Sequence, residues 1–131
     1  MQQNAAPQYV KCRLCKKTKK IVHFARDCTR KTGYASSCRA CRKQYDRQRK
    51  IAVREFLLDY LKTHHCVDCG ESDPVVLEFD HVTGVKRLNL ADARSVPEAE
   101  REVKECVVRC ANCHRRKTAL EFNWFIAALG Q

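Results

Sequence analysis

Cys66-Val67-Asp68-Cys69-Gly70 and Cys110-Ala111-Asn112-Cys113-His114 are the two segments that decide the fold of the second half of this chain. Each contains a C-x-x-C pair, and a two-residue gap lets both thiolates of one turn bind the same ion. Four thiolates suit tetrahedral zinc, so the two pairs predict one structural zinc site. The 40 residues between the pairs leave room for a hairpin and a short helix held at their base.

A second set of C-x-x-C pairs lies nearer the N-terminus. Its members are Cys12, Cys15, Cys38 and Cys41. The 22 residues between these two pairs slightly exceed the usual spacing, and the pattern predicts a zinc ribbon over residues 11–41. Interleaved sites, in which a pair from the first half shares its ion with a pair from the second, are the alternative arrangement.

A disulfide framework is the competing interpretation of a small chain with ten cysteines. It would need an export signal, but the polar N-terminus is not followed by an apolar segment. No run approaches the roughly 18 apolar residues of a membrane span. We therefore expect two structural zinc ions, no membrane association and a reducing, cytoplasmic setting.

Positive charge is concentrated in one third of the chain. Residues 11–50 contain fifteen lysines and arginines against two acidic residues, a net charge of +13, whereas residues 51–131 carry −2. So dense a basic surface attracts a polyanion and gives salt-dependent binding. A solvated face that only improves solubility is the alternative.

Periodicity and turn residues predict a small, zinc-stabilised α+β protein. Residues 1–10 are expected to form a disordered lead, and residues 42–62 a linking helix that is basic in its first half and apolar in its second. Residues 63–131 form the second unit. Its predicted elements are a strand over 75–81, a helix from the capping box at Ser95 to about Glu105, a strand over 106–109 and a last helix ending near Gly130.

Asp80, His81 and His114 are the candidate chemical residues. Asp80-His81 ends the first predicted strand, and His114 directly follows Cys113. If zinc joins the two cysteine pairs, one carboxylate and two imidazoles converge. An Asp and a His can then bind a divalent ion while the second His acts as a base, which suits phosphodiester hydrolysis. A turn-capping role for Asp80-His81, and zinc ligation by His114, are the alternatives.

The combination of these motifs resembles a known family, the zinc-stapled HNH endonucleases, many of which are encoded by bacteriophages. The resemblance covers about residues 63–120. The matching segments are Cys66-Val67-Asp68-Cys69-Gly70, Leu77-Glu78-Phe79-Asp80-His81 and Cys110-Ala111-Asn112-Cys113-His114-Arg115-Arg116-Lys117-Thr118. It implies a ββα-metal (HNH) nuclease core preceded by the ribbon and the linking helix, and cleavage of DNA to 5′-phosphate and 3′-hydroxyl ends.

The resemblance also implies a role for each matching residue. His81 matches the general base that activates water, and Asp80 and His114 match the ligands of a catalytic divalent ion, Mg²⁺ or Mn²⁺. The middle position of the motif, usually an Asn or His that orients the base, has no clear match. Asn89, in the preceding loop, is the candidate.

Duplex DNA is the expected partner, with a bacterial host's cytoplasm as the location if the chain is phage-encoded. The ribbon resembles one often fused ahead of such nucleases in phage proteins, which implies a possible terminase or packaging partner. A non-catalytic zinc module that binds nucleic acid, and an adaptor such as a packaging accessory, are the other hypotheses. The expected nucleic-acid contacts are Lys19, Lys20, Arg42, Lys43, Arg47, Lys50, Arg115, Arg116 and Lys117.

Overall fold

A computed structural model describes residues 8–82 and 88–124. It divides the chain into two compact units, residues 1–48 and residues 49–131. The described residues form two-stranded antiparallel sheets and helices, which confirms the predicted small α+β class. No helix among them is long and apolar enough to cross a bilayer.

The first unit contains two small hairpins and the start of a helix. Strand β1 (Tyr9–Lys11) pairs with β2 (Thr18–Lys20), and β3 (Phe24–Arg26) pairs with β4 (Tyr34–Cys38). Helix α1 (Arg39–Thr63) follows directly. Because these strands are only three to five residues long, they bury little apolar surface and need the cysteine cluster at their centre.

The predicted disordered lead is wrong for residues 9 and 10, which belong to β1. Val10 pairs with Lys19 across the hairpin and packs against the buried cluster of Cys12, Phe24 and Cys38. The ladder hydrogen bonds and this contact order the segment. Residues 1–7 of the lead lie outside the described residues.

Helix α1 begins three residues earlier than predicted and ends one residue later. Its first turn includes Cys41, so the second C-x-x-C pair of the ribbon also starts the helix. Val53 and Leu61, in its second half, are buried in the core of the second unit. The second half of the helix, which was predicted to be apolar, is therefore the half that packs into this core.

The second unit is built on one hairpin. Strand β5 (Leu77–His81) pairs with β6 (Cys106–Cys110) in a register that places Leu77 opposite Cys110 and His81 opposite Cys106. Helix α2 (Val96–Val103) precedes β6, and α3 (Ala111–Glu121) follows it without a break.

One half of the capping box predicted at the start of α2 is present. Ser95 is the N-cap, and its hydroxyl accepts a hydrogen bond from the Glu98 backbone N–H at 3.4 Å. The Glu98 carboxylate accepts in turn from the Arg94 N–H. The Glu98 N–H of the first turn therefore has a local partner, whereas the reciprocal bond from Glu98 goes to Arg94, one residue before the N-cap.

The last helix ends earlier than predicted, at Glu121. Asn123 adopts a left-handed backbone conformation (φ 53°), and the Trp124 N–H donates to the Ala119 carbonyl at 2.8 Å. These hydrogen bonds end the helix as a C-terminal cap does. Residues 125–131, over which the helix was predicted to continue, lie outside the described residues.

Candidate functional site

Two cysteine tetrads form the most definite binding sites of the described residues. They are Cys12, Cys15, Cys38 and Cys41 in the first unit, and Cys66, Cys69, Cys110 and Cys113 in the second. Within each tetrad the four sulfur atoms lie within 4.8 Å of one another. Sulfur atoms so placed can all bind one tetrahedral ion, so the donor set fits zinc. Each tetrad stays within one unit, which excludes the interleaved arrangement.

Backbone N–H groups support the thiolates of the first tetrad. The Cys38 N–H donates to the Cys12 sulfur at 3.3 Å, and this bond is the main reason why the pKa of Cys12 is lowered to about 6. The Lys19 ammonium lies 3.4 Å from the Cys38 sulfur. Lys19 was expected to contact nucleic acid. The structure places it beside the tetrad, where its charge stabilises the thiolates.

The second tetrad ties a turn to the base of the hairpin. Gly70, at a positive φ of 76°, closes the Cys66 turn, and the Val67 N–H donates to the Val108 carbonyl at 3.0 Å. Cys110 ends β6, and its sulfur caps α3 by accepting from the Cys113 N–H at 3.4 Å. The tetrad thereby fixes where α3 leaves the sheet.

Glu78, Asp80 and His114 meet on one face of this hairpin. Glu78 and Asp80 are two residues apart in β5 and therefore point to the same side. His114 Nδ1 lies 2.7 Å from Glu78 Oε2, and its Nε2 lies 3.5 Å from Asp80 Oδ1. The imidazole is held by one carboxylate and faces the other.

Two cations also contact the Asp80 carboxylate, whose residue is only 5% exposed. Arg109 donates a hydrogen bond to Asp80 and also pairs with Asp68, with 2.7 Å between Nε and Oδ2. The Lys117 ammonium lies 3.0 Å from Asp80 Oδ2. Burial by itself raises the pKa of Asp80, but hydrogen bonds from Lys117 and Arg109 outweigh it, and the pKa is lowered. Asp80 is thus a buried carboxylate that stays ionised.

His81 points to the other face of the hairpin, as the alternation along a strand requires. Its Nε2 lies 2.9 Å from Glu102 Oε1, and Glu102 is 5% exposed. No hydrogen bond joins His81 to Asp80 or His114 within residues 8–82 and 88–124. The structure therefore brings two of the three predicted chemical residues together and gives the third a separate carboxylate partner.

Glu102 is a candidate functional residue that the sequence interpretation missed. It lies on the buried face of α2 with Ala99 and Val103. The available signal was a charged residue at an apolar position of an amphipathic helix, since a buried carboxylate needs a partner. The sequence did not indicate which residue the partner is.

Asn89, the candidate for the middle position, lies just before a short 3-10 turn, Leu90–Asp92. Its side-chain amide donates to Asp92 at 3.4 Å, and the residue is exposed. No hydrogen bond connects it with His81 in the described part of the chain.

The remaining residues expected to contact nucleic acid are mostly exposed. Arg42 forms an ion pair with Asp46 at 3.2 Å on the surface of α1, and Lys117 is held between Asp80 and Glu121. The exposed members are Lys20, Arg42, Lys43, Arg47, Lys50, Arg115 and Arg116.

Asp80 and His114 together could hold a catalytic divalent ion. Two ligands at about 2.1 Å from one octahedral ion lie about 3 Å apart, close to the observed 3.5 Å between Oδ1 and Nε2. The contact of His114 Nδ1 with Glu78 is the usual support of a metal-binding histidine. The protein supplies these two ligands, and water and phosphate oxygens would complete the shell.

Comparison of the chain with protein-family profiles, curated proteins and solved structures gives no significant match. Its function therefore rests on the chemistry of its own residues.

The tetrads predict how zinc is lost on mutation. Cys12→Ser and Cys110→Ser should each lower the zinc content from about two ions per chain to about one, because the tetrads are separate. Metal analysis of the purified full chain measures this.

Cys28→Ser is the matched control, since Cys28 is exposed and belongs to neither tetrad. Loss of zinc from the Cys28 variant, or a full zinc content in the Cys110 variant, would contradict the assignment.

Proposed function

We propose that this protein is a metal-dependent endonuclease of the HNH type, which hydrolyses phosphodiester bonds in DNA. The observation that carries the proposal is the Glu78–His114–Asp80 arrangement, in which an anchored imidazole faces an ionised carboxylate. It lies where a two-stranded hairpin passes into a helix, as in the ββα-metal architecture. The four-cysteine site beside it supports the same interpretation.

Asp80 and His114 would hold the divalent ion, Mg²⁺ or Mn²⁺. When bound, such an ion neutralises charge on the phosphate and on the leaving oxygen. Glu78 keeps His114 oriented by accepting a hydrogen bond from Nδ1, which leaves the Nε2 lone pair towards Asp80. Arg109 and Lys117 keep Asp80 ionised.

His81 is proposed as the general base because Asp80-His81 matches the family motif in which the base follows an ion ligand. Its side chain leaves β5 on the face opposite Asp80, so the scissile phosphate would have to bind round the end of the hairpin to meet both groups. If Nε2 donates its proton to Glu102, the lone pair of Nδ1 is left to accept a proton from water. The water oxygen then attacks phosphorus, the bond to the 3′-oxygen breaks, and that oxygen takes a proton from a solvent water, giving 5′-phosphate and 3′-hydroxyl ends. Glu102 acts through His81 and is a positioning residue, the role for which Asn89 was the sequence candidate.

A plasmid-cleavage assay in EDTA, Mg²⁺ and Mn²⁺ tests the proposal. The wild-type protein should relax or linearise supercoiled plasmid only with a divalent ion. His81→Ala should abolish cutting with zinc content unchanged, and Glu102→Gln should lower kcat about tenfold or more with little change in KM. The altered kcat with unchanged KM separates positioning of the base from loss of substrate binding.

His23→Ala is the matched control, because His23 is an exposed histidine of the first unit. Cutting that survives in His81→Ala would remove His81 as the base. No cutting by the wild-type protein with any ion would overturn the proposed activity.

The role of Glu78 predicts a change in metal affinity. Glu78→Gln should raise the Mn²⁺ concentration for half-maximal binding by about 10- to 100-fold, because the ligand His114 loses its anionic anchor. Titration of the zinc-loaded protein with Mn²⁺, followed by the electron paramagnetic resonance of the free ion, measures this without relying on activity.

Glu100→Gln, which changes an exposed carboxylate on α2, serves as the control. Equal Mn²⁺ binding by the Glu78 variant and the wild-type protein would remove Glu78 from the site.

The basic first unit is proposed to bind the phosphates of the substrate. Its tetrad holds short hairpins in place, and Lys20, Arg42, Lys43 and Arg47 are exposed around that core. With only two acidic residues in the unit, Asp27 and Asp46, most of these cations are not neutralised by neighbours. Such a surface holds DNA without reading its sequence.

Neutralising Lys20, Arg42, Lys43 and Arg47 together should weaken DNA binding and flatten its salt dependence. The slope of log K against log salt should fall by up to about 0.9 for each phosphate that no longer has a cationic partner. Fluorescence anisotropy with labelled duplex DNA at several salt concentrations measures it. Lys62→Gln with Lys104→Gln is the control, and an unchanged slope in the quadruple variant would place the binding surface elsewhere.

A non-catalytic zinc module that binds nucleic acid is the second candidate. Two observations favour it: Asp80 is already bonded to Arg109 and Lys117, and His81 contacts Glu102 rather than the Asp80 group. It predicts salt-dependent binding without cutting, so the plasmid assay separates the two candidates.

A further inference from the structure

An exposed aromatic pair follows α3. Phe122 is 68% exposed and Trp124 is 41% exposed, and their ring centroids lie 6.4 Å apart at an interplanar angle of 31°. The Phe122 N–H donates to the Thr118 carbonyl at 3.0 Å, and the Trp124 N–H is held by Ala119. The backbone that carries the two rings is therefore held by hydrogen bonds, and both rings lie at the surface.

Trp124, one member of the pair, adjoins the proposed active site. Trp124, Thr118 and His114 line one groove, together with Glu78 and Arg115. The Arg115 guanidinium carbon lies 5.8 Å from the centre of the Trp124 ring, within the range of a cation–π contact. We call Arg115, Phe122 and Trp124 the aromatic platform.

The charge around the aromatic platform indicates which kind of ligand binds there. Arg115 and Arg116 are both exposed on α3. A second copy of the chain docked here would bring the same cations together, which is unfavourable. A ligand with planar apolar faces and negative charge suits both the rings and the guanidinium, and unpaired nucleotides have these properties.

We propose that the aromatic platform stacks unpaired bases of a nucleic-acid strand beside His114. Bases in an intact duplex are already stacked on their neighbours, so the platform selects a strand with unpaired nucleotides at the site. This deepens the proposed nuclease function and rests on it. It assigns a substrate class, DNA with single-stranded character next to the scissile phosphate.

Trp124 is the only tryptophan in the chain, so its fluorescence reports directly on the platform. The zinc-loaded full-length protein is titrated, without added divalent ion, with an oligothymidylate of about twelve nucleotides. Its duplex with oligoadenylate is the comparison. The single strand should quench the fluorescence to saturation, and the duplex should quench it much less.

Variants give an independent measurement with labelled oligonucleotides. Trp124→Leu should weaken single-strand binding about tenfold and change duplex binding by less than about twofold, because only stacking is removed. Trp124→Phe should keep most of the affinity. Leu120→Ala, which changes another exposed apolar residue at the end of α3, is the control and should leave both affinities unchanged.

Several outcomes would overturn the platform. These are no quenching by the single strand, equal losses of affinity for single strand and duplex in Trp124→Leu, or a dimer in sedimentation that this variant dissociates. The plasmid assay keeps the two proposals apart. A wild-type protein that cuts plasmid without quenching overturns the platform alone. One that quenches but never cuts overturns the nuclease function and leaves a single-strand-binding surface.

Discussion

The second unit depends on the sulfur atoms of Cys66, Cys69, Cys110 and Cys113, which lie close enough together to bind one ion. Cys110 is at once the last residue of β6, the N-cap of α3 and a member of the tetrad. The angle between the β5–β6 sheet and α3 is therefore set at Cys110. The apolar cluster around this point is small, so a metal–thiolate centre supplies the constraint that a larger core would otherwise give.

Two buried carboxylates are accommodated in so small a unit because each is paired with other side chains. Asp80 is surrounded by Arg109, Lys117 and His114, and Glu102 faces His81 across the other side of the hairpin. A carboxylate with little solvent access is costly unless it is paired. Buried, paired titratable groups concentrate at functional sites. The presence of two such carboxylates is therefore a reason to place the proposed chemistry at this hairpin.

The two units have different compositions, and the proposal gives them different tasks. The first is strongly basic, and Phe24 is the single large apolar side chain among the fully buried residues of its described part, residues 8–48. A rigid tetrad lets such a unit present cations without a conventional core. The second is nearly balanced in charge and contains both carboxylate–histidine pairs and the aromatic platform. Binding of the phosphate backbone and hydrolysis would thus use separate surfaces of one short chain.

The sequence by itself determined the eight cysteines that can bind zinc, the N-cap at Ser95 and the concentration of charge, since each follows from residues that lie near one another in the chain. Its motifs also indicated Asp80 and His114 as candidate members of one site. Only the tertiary structure decided that each tetrad stays within one unit, that Glu78 holds His114 and that Glu102 pairs with His81. It alone placed Lys19 beside a tetrad and ended the last helix at Glu121. These features depend on strand register and on packing between segments that are distant in the chain, and local periodicity carries no information about either.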